Sequence, residues 1–229
     1  MRSLDQLEAS LNLNFKNKKL LKNVFVHRSF LNEHKNFYLA SNEKLEFLGD
    51  SVLSLVTSVY LYKNYPDLME GDYTEIKAAI VRTESLAEAA MSLNLGDYLY
   101  LSKGQDKEVG RKNKNILADC FEALIAAIFI DASFESAYTF VLKYLFTNKL
   151  DKIIKNKLYL SPKSRLQEYT QAKFRITPVY KLLEEHGPEH DRVFKIEVHI
   201  KEKSYGVGVG KSKKEAEEEA AKKTLEKMT

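Results

Sequence analysis

Five acidic side chains fall at helical spacings within two apolar segments of this sequence. Glu43, Glu46 and Asp50 are separated by three and four residues, which places all three on one face of a helix. Asp119 and Glu122 form a second pair, again three residues apart and again among apolar neighbours. Burial of like-charged carboxylates is costly unless something neutralises them. The pattern therefore predicts either a bound cation or basic side chains that compensate the charge.

A hard divalent cation is the more natural partner for these carboxylates. Mg²⁺ prefers oxygen ligands and keeps several bound waters, which leaves room for a substrate phosphate. Lys44 is adjacent in the sequence but points to a different side of the helix. The alternative is that the acids form surface salt bridges on two amphipathic helices. One such helix would favour that interpretation, whereas two helices with acids in an apolar setting favour a magnesium site.

A second chemical signal lies near the C-terminus, where lysines surround the start of a predicted helix. Lys211, Lys213 and Lys214 flank Ser212, which forms a capping-box pattern with Glu215. Cations in the first turn oppose the helix dipole, so these lysines are unfavourable there unless they face an external anion. A helix N-terminus with added lysines is a good phosphate site. The alternative is a solvated, charged helix end.

Two further segments fit recognition of duplex RNA. Gln167 and Gln171 share one face of an earlier helix and could meet 2′-hydroxyls and base edges, although glutamine is also an ordinary surface residue of helices. The loop at residues 186–191 lies between two predicted strands, where it could enter a minor groove. Duplex RNA is bound by two such minor-groove contacts with lysines on the intervening phosphates. The three signals together predict binding to double-stranded RNA, mostly by shape.

The acidic segments belong to a half of the chain that is helical almost throughout. From residue 4 to about residue 154, apolar residues recur at three- and four-residue spacings. We expect one turn between Pro66 and Gly71 and a polar loop over residues 104–114. Residues 1–154 are therefore predicted to form an all-α domain.

The RNA-binding signals belong to a second half with a different pattern. Ser161 followed by Pro162 predicts the start of a helix that runs to about Lys173. Alternating apolar residues and turn signals then predict three strands and a last helix, at residues 179–183, 194–200, 204–209 and 213–227. Residues 161–229 are thus predicted to form an α+β domain of order α-β-β-β-α, after a short polar linker.

Composition limits the remaining function classes. The net charge is only +4, so binding to nucleic acid must depend on local clusters. The single cysteine, Cys120, excludes an internal disulfide and is expected to pack inward, because Mg²⁺ avoids sulfur. The longest apolar run, residues 123–130, is too short to cross a membrane, and we expect a cytoplasmic protein with no membrane partner. The glycines of residues 206–212 lack the P-loop spacing, so no nucleotide cofactor is expected.

The acidic segments resemble a known family. The run Asn42-Glu-Lys-Leu-Glu-Phe-Leu-Gly-Asp-Ser51 is similar to the signature of the ribonuclease III family, which usually has arginine where this chain has Lys44. Residues 70–74 and 116–124 resemble family segments in the same order, and the C-terminal half resembles a double-stranded-RNA-binding domain. The resemblance covers nearly the whole chain, and it implies an all-α endonuclease domain followed by an RNA-binding domain.

The resemblance also implies a role for each matching residue. Catalytic Mg²⁺ would be held by four acids: Glu46, Asp50, Asp119 and Glu122. Asp50 and Glu122 would be the pair most closely tied to the chemistry, with Glu43 and Glu70 as supporting acids near the cutting valley. His190 would be the residue of the 186–191 loop that enters the minor groove.

The function implied is a magnesium-dependent endoribonuclease that cuts double-stranded RNA. Mn²⁺ is expected to substitute for Mg²⁺, and ribosomal-RNA precursors and other transcripts are the expected substrates. A homodimer is implied as well, with the signature helix in its interface and one active site per protomer. Two competing hypotheses are an RNA-binding protein whose helical domain only dimerises, and a metal-dependent phosphohydrolase that acts on small substrates. The full set of acids speaks against the first, and the RNA-binding half speaks against the second.

Overall fold

The chain forms two compact units in a computed structural model that describes residues 3–106, 108–147, 150–188 and 191–228. The first unit covers Met1–Lys155 and the second covers Asn156–Thr229. The first is helical and the second combines helices with an antiparallel sheet, as the sequence predicts. Within the described residues, no helix combines the length and the apolar character that a membrane span requires.

The described part of the first unit is built from helices, apart from one isolated parallel bridge between Val26 and Tyr100. A 3₁₀ turn lies at Leu95–Tyr98 and a π turn at Leu142–Phe146. The α-helices are α1 (Leu4–Leu11), α2 (Lys18–Val24), α3 (Arg28–Glu33), α4 (Glu43–Asn64), α5 (Glu70–Ile80), α6 (Thr83–Ser92), α7 (Glu108–Arg111), α8 (Lys114–Asp131), α9 (Phe134–Val141) and α10 (Leu150–Lys155).

Two local features of this unit differ in detail from the predictions. The predicted turn between Pro66 and Gly71 is present, but the connection covers residues 65–69 and α5 already begins at Glu70. The segment at residues 104–114 is not a plain loop, since it contains α7, whose four residues are too few for a sequence pattern to reveal. Both differences concern helix starts, which local side-chain bonds decide.

Helix α8 is the centre of the first unit and explains why its acids are close to α4. Its residues from Ile116 to Ile128 are almost all buried, and the side chain of Asn113 caps it by accepting hydrogen bonds from the next backbone amides. Helix α4 packs directly against it. At Gly49 of α4, a Cβ atom would lie only 1.9 Å from the backbone oxygen of Glu122, so glycine is required for this close approach.

The start of α4 is fixed to the body of the unit by a buried asparagine. The side-chain amide of Asn42 donates to the backbone oxygen of Val24 at 3.0 Å, and its backbone amide donates to Val26 at 2.8 Å. Its backbone oxygen accepts from the amide of Glu46 at 2.9 Å. A buried amide bonded in this way resists displacement, because any movement would leave polar groups without partners. The first turn of α4, which carries two of the predicted acids, is therefore rigidly placed.

The second unit has the predicted order of elements. They are α11 (Pro162–Phe174), β1 (Val179–His186), β2 (Val193–Ile200), β3 (Lys203–Gly210) and α12 (Lys213–Met228). The strands form one antiparallel sheet in the order β1-β2-β3. The core between sheet and helices consists of Leu166, Val198, Ile200, Ala220 and Ala221. Every strand is longer than the sequence indicates, since pairing extends through polar residues at the strand ends.

The glycines of β3 serve the packing of α12. A Cβ atom added at Gly208 would lie 2.1 Å from the backbone oxygen of Ala216, so the helix could not approach the strand as closely with any larger residue. Together with Ala216 and Ala220, which are fully buried on the inner face of α12, this close contact fixes where that helix begins. The start of α12 is the segment that carries the predicted phosphate-binding lysines.

Candidate functional site

Three carboxylates from two helices converge on one point of the first unit. Glu46 of α4 and Asp119 and Glu122 of α8 each offer an oxygen, and these oxygens all lie within 4.8 Å of one another. All three side chains are half-buried. The close approach of α4 to α8 at Gly49 brings the two helices together at this point. The spacing of three between Asp119 and Glu122 then directs both carboxylates to the same side of α8.

Asp50 lies beside this cluster but is not buried with it. Asp50 is exposed, and its carboxylate is not among the three that converge within 4.8 Å. Its charge is nevertheless the largest electrostatic contribution, after burial itself, that raises the pKa of Glu122. The expectation that all the acids of α4 are buried is therefore wrong: Glu43 and Asp50 are exposed and Glu46 is half-buried, because the helix leaves one long side to solvent.

The cluster strongly favours protonation of its members. Burial, followed by the charges of Asp50, Glu46 and Asp119, raises the pKa of Glu122 to about 8. Burial is also the main cause that raises the pKa of Glu46, with Asp119 next, and burial raises the pKa of Asp119. Negative charge at this site is thus poorly compensated by the protein, which is the condition that a bound cation relieves.

The salt-bridge interpretation of these acids fails for the converging three. Within the part of the chain that the structure describes, no lysine or arginine nitrogen lies within 4.0 Å of the carboxylates of Glu46, Asp119 or Glu122. Arg28 acts on the cluster through space: its Nη1 lies 3.6 Å from Oε1 of Glu43, and its positive charge opposes the rise in the pKa of Glu46 and of Asp119. The described residues thus offset part of the negative charge but form no ion pair with the three converging acids.

Arg28 is a residue that sequence reasoning missed. It begins α3 directly after His27, whose Nδ1 accepts a hydrogen bond from the amide of Ser29 at 3.2 Å and thereby caps the helix. His27 is half-buried and hydrogen-bonded. In the sequence, Arg28 is only a basic residue next to that histidine, and it lies far from the acids. Its relation to Glu43 arises from the fold.

The two supporting acids lie at helix starts and not in the cluster. Glu43 accepts a hydrogen bond from Oγ of Ser41 at 2.6 Å, in addition to its contact with Arg28. Glu70 is the exposed first residue of α5, and its carboxylate accepts from the hydroxyl of Thr74 at 3.3 Å. Acids in the first turn of a helix are favourable for the helix dipole, so both positions have a local structural reason.

The lysines of the second unit are exposed around the N-terminus of α12. Lys211, Lys213 and Lys214 all face solvent, and α12 begins at Lys213. Oγ of Ser212 accepts from the amide of Glu215 at 3.1 Å, and the carboxylate of Glu215 accepts from the amide of Lys211 at 2.8 Å. The capping pattern is therefore present, although the glutamate bonds one residue before the serine. All three lysine side chains are open to solvent, where an anion could reach them.

Helix α11 presents both predicted glutamines to solvent and is fastened to α12. Gln167 and Gln171 are exposed. Lys163 pairs with Glu217 through its side chain, and its backbone amide donates to the carboxylate of Glu218 at 3.1 Å. Glu217 and Glu218 of the acidic run of α12 therefore make structural contacts. They hold the N-terminus of α11 against the helix that carries the lysines.

The loop predicted at residues 186–191 to enter a minor groove, here called the probe loop, is shifted by one residue, because β1 extends to His186 and β2 begins at Val193. Gly187 has a positive φ of 96°, and a Cβ atom there would lie 2.4 Å from the backbone oxygen of Asp191, so the turn requires glycine. His190 lies outside the described residues. The loop nonetheless leaves the sheet at the same end as Lys211, whose Nζ lies 3.7 Å from Asp191.

Comparison with known proteins agrees with this arrangement. Residues 17–149 match a family model described as Ribonuclease-III-like, and residues 162–228 match the double-stranded RNA binding motif. The chain belongs to the ribonuclease III family. Ribonuclease 3 of Dehalococcoides mccartyi is 41% identical over 228 residues, covering 100% of this chain and 96% of that protein. Ribonuclease 3 of Treponema denticola is 45% identical over 223 residues, covering 97% of this chain and 90% of that protein.

A solved structure of the ribonuclease III family supports the fold of the first unit. It is the nuclease domain of ribonuclease III from Campylobacter jejuni, described for flexibility in the region involved in its dimer formation. It is 39% identical with a TM-score of 0.59 and covers 64% of this chain and 99% of that chain. The chain is thus an endoribonuclease of the ribonuclease III type, and the acidic cluster lies within the matched nuclease part.

Proposed function

We propose that this endoribonuclease requires Mg²⁺ and hydrolyses phosphodiester bonds in double-stranded RNA, with ribosomal-RNA precursors and other transcripts as its natural substrates. The observation that carries the proposal is the convergence of Glu46, Asp119 and Glu122 within 4.8 Å, with no ion pair to them from a lysine or arginine in the described part of the chain. The catalytic part would be residues 1–154 and the RNA-binding part residues 161–229. The expected cytoplasmic location stays a prediction.

The donor set of the cluster fits magnesium. It consists of carboxylate oxygens alone, which is the ligand type that Mg²⁺ and Mn²⁺ prefer, and it offers neither the sulfur nor the imidazole that softer metals select. Cys120, although it lies between two of the acids in sequence, is fully buried and its pKa is raised by that burial. When bound, Mg²⁺ would activate a water, neutralise phosphate oxygens and stabilise the leaving alkoxide.

The side chains of the cluster would have different roles. Glu46 and Asp119 would hold the ion from α4 and α8. Asp50 is exposed beside the half-buried Glu122, so these two would face the solvent side from which the phosphodiester arrives. Glu122 would lose its proton when the ion binds, because its pKa of about 8 reflects burial and the repulsion of its neighbours. Glu43 and Glu70 would support the site from its rim.

Binding of the duplex would depend on the exposed polar face of the second unit. Gln167 and Gln171 of α11 would reach one minor groove, His190 would enter the next, and the three lysines at the start of α12 would contact the phosphates between them. The pairing of Lys163 with Glu217 supports this proposal, because it fixes α11 and α12 to each other and so presets the spacing of the contacts.

Replacing Lys211, Lys213 and Lys214 together with alanine is expected to weaken binding of duplex RNA by a similar factor for every sequence tested. The slope of log K against log salt is negative, and each lost phosphate contact makes it shallower by up to about 0.9. Its magnitude should therefore decrease by about 2 to 3. Fluorescence anisotropy at several salt concentrations measures both quantities. The matched control replaces the exposed Lys181 and Lys222 of the same unit and should leave the slope unchanged. An unchanged slope in the triple variant would show that these lysines do not contact phosphate.

A homodimer with α4 in its interface is part of the proposal. Helix α4 packs against α8 on one side, while large apolar side chains remain exposed on the other, namely Phe47, Leu55 and Tyr62. Their spacings of eight and seven residues keep them on one stripe of the helix. A stripe of this kind on an otherwise polar surface indicates a protein contact. Two protomers joined there would supply two sites, one for each RNA strand.

The stability of the metal-free protein should fall as pH rises. Glu122 has a pKa of about 8 in the folded chain and about 4.3 when unfolded, so the folded state binds more protons between these values. The contribution of this protonation to the free energy of unfolding is fully present below about pH 4 and is lost as pH rises through about 8. Thermal unfolding without metal should therefore occur a few degrees lower at pH 9 than at pH 6.

Adding Mg²⁺ and replacing Glu122 distinguish the titration of Glu122 from that of other groups. Mg²⁺ at ten times its Kd should add about 1.4 kcal/mol at pH 9 and restore about half of the lost stability. The Glu122→Gln variant should show a smaller pH dependence and a smaller response to Mg²⁺. Differential scanning calorimetry at both pH values measures these changes. An equal response of the variant and the parent to Mg²⁺ would place the ion elsewhere.

The proposed function is tested by incubating the protein with long duplex RNA, with a single strand and with a nucleotide, each with Mg²⁺ and with EDTA. We expect the duplex to be cleaved and the single strand and the nucleotide to stay intact. Cleavage should require a divalent ion, with Mn²⁺ able to replace Mg²⁺, and should not occur with EDTA. Intact duplex after prolonged incubation with folded protein and Mg²⁺ would refute the proposal. Hydrolysis of the nucleotide would favour a phosphohydrolase of small substrates instead.

A further inference from the structure

The second unit carries a cavity at the end that lies away from the β1–β2 loop and from the lysines at the start of α12. Its volume is about 490 Å³, within the range of small-ligand sites. It lies where the C-terminus of α11 meets the turn between β2 and β3, and we refer to it as the turn cavity. The residues that line it are Phe174, Ile200, Lys201, Glu202, Lys203 and Tyr205.

The walls of the turn cavity combine aromatic rings with cations. Phe174 and Tyr205 are half-buried, so each ring packs partly on the core and leaves part of its surface open. Nζ of Lys173 and Nζ of Lys201 lie 5.7 and 5.8 Å from the centre of the Phe174 ring. Nζ of Lys227 donates a hydrogen bond to the backbone oxygen of Tyr205 at 2.6 Å. The rings are thus bordered by ammonium groups.

The cations around the turn cavity outnumber the carboxylate of Glu202, which also lines it. Its five cations are exposed, and none has a described carboxylate within 4.0 Å: Lys173, Arg175, Lys201, Lys203 and Lys227. By contrast, Lys163, Lys195 and Lys223 in the same unit each pair with a glutamate. Arg175 and Lys201 also have φ values of 58° and 57°, in the left-handed region where glycine or asparagine is usual. An anion would be attracted to this end of the unit.

The turn cavity is far from the lysines at the start of α12. Strand β2 has eight residues and runs from the probe loop to the β2–β3 turn, which corresponds to roughly 25 Å. Helix α12 has sixteen residues and spans a similar length, with Lys213 at its first turn and Lys227 at its last. A duplex that contacts the first end therefore does not account for the cations at the second.

We propose that the turn cavity binds an unpaired RNA strand that extends from the duplex. Single strands are bound by cationic grooves with aromatic side chains on which bases stack. The bases of a duplex already stack on one another and pair at their edges, so they cannot offer a face to Phe174 or Tyr205. An unpaired base can enter the cavity, with its flanking phosphates near Lys201 and Lys203. Substrates with single-stranded extensions would then bind more tightly than blunt ones.

This inference rests on the proposed function only in that the extension adjoins a duplex, and it is tested by binding without metal, which prevents cleavage. The probes are a blunt duplex of about 20 base pairs and the same duplex with an unpaired 3′ extension of about 10 nucleotides. We expect the extension to tighten binding to the full-length parent about tenfold, since one stacked base contributes about 1–3 kcal/mol. The double variant Lys201→Glu/Lys203→Glu should lose this gain and bind the blunt duplex within about twofold of the parent.

Two further variants make the test decisive. Lys181→Glu/Lys222→Glu changes the same charge on exposed lysines outside the cavity and should keep the tenfold gain. Lys201→Gln/Lys203→Gln removes charge without reversing it and should reduce the gain partly, while blunt binding shows that the unit is folded. The proposal is overturned if the extension gives the parent no gain, if both glutamine and glutamate variants of the turn retain it, or if the control loses it equally. Cleavage of the blunt duplex with Mg²⁺ reports the proposed function separately.

Discussion

Replacing Glu122 with glutamine should reduce cleavage of duplex RNA by at least about a thousandfold, which corresponds to about 4 kcal/mol of activation free energy. Glutamine keeps the shape of the side chain but removes the charge that would hold the ion beside Glu46 and Asp119, whose oxygens lie within 4.8 Å. Because burial and like charges raise the pKa of Glu122 to about 8, the same change should stabilise the metal-free protein at alkaline pH. Activity and stability are thus expected to change in opposite directions.

Single-turnover cleavage with saturating enzyme measures the loss for Glu122→Gln, and gel-shift titration measures binding of the RNA. Binding should stay within about twofold, since the proposed contacts of the duplex lie in the other unit. The matched control is Glu75→Gln, an exposed glutamate on α5, which should cleave normally. If Glu122→Gln loses binding and cleavage in parallel, the proposed separation of metal-binding and RNA-binding roles is incorrect.

Replacing Phe47 with glutamate should dissociate the proposed homodimer and thereby abolish most cleavage at low protein concentration. The side chain of Phe47 is 79% exposed on α4, in the same stripe as Leu55 at 53% and Tyr62 at 76%. A buried aromatic anchor contributes about 2 kcal/mol or more to an interface, and a charge at its centre adds the cost of desolvation. The dissociation constant of the dimer should therefore rise by more than about thirtyfold.

Sedimentation velocity over a range of concentrations measures the effect of Phe47→Glu on association. The control is Val109→Glu, which introduces the same charge at a side chain that is 82% exposed on α7 and should leave the dimer intact. Cleavage by the Phe47 variant should recover at high protein concentration, where the dimer reforms. A parent that sediments as a monomer, or a variant that remains dimeric, would rule out α4 as the interface.

The fold was largely predictable because hydrophobic periodicity differs sharply between the two halves of the chain. The helical half and the α-β-β-β-α half both have the predicted elements. Alternation along β2 predicts an inner face of Phe194, Ile196, Val198 and Ile200, of which the last three are buried and Phe194 is half-buried. Helix starts were less predictable. Glu70 begins α5 where a turn was expected, because its first turn is held by the side chain of Asp72, which accepts from the amide of Met69 at 3.2 Å.

Only part of the candidate site could be predicted from spacing. Helical spacing correctly placed Asp119 and Glu122 on one side of α8, but it could not show how deeply each acid lies. That depth depends on tertiary packing: Gly49 brings α4 against α8 and half-buries Glu46, while Asp50, one turn further along, stays exposed. The position of Arg28 near Glu43 and of Lys163 near Glu217 likewise arises from contacts between helices that are distant in sequence.

The central claim is that a divalent ion lies between Glu46, Asp119 and Glu122, and diffraction from crystals soaked in Mn²⁺ tests it most directly. We expect the strongest anomalous peak at about 2.0–2.4 Å from carboxylate oxygens of these residues, and no such peak in crystals of Glu122→Gln. A dominant peak elsewhere, or none at this cluster in protein that cleaves duplex RNA with Mn²⁺ after the crystals are dissolved, would contradict the claim.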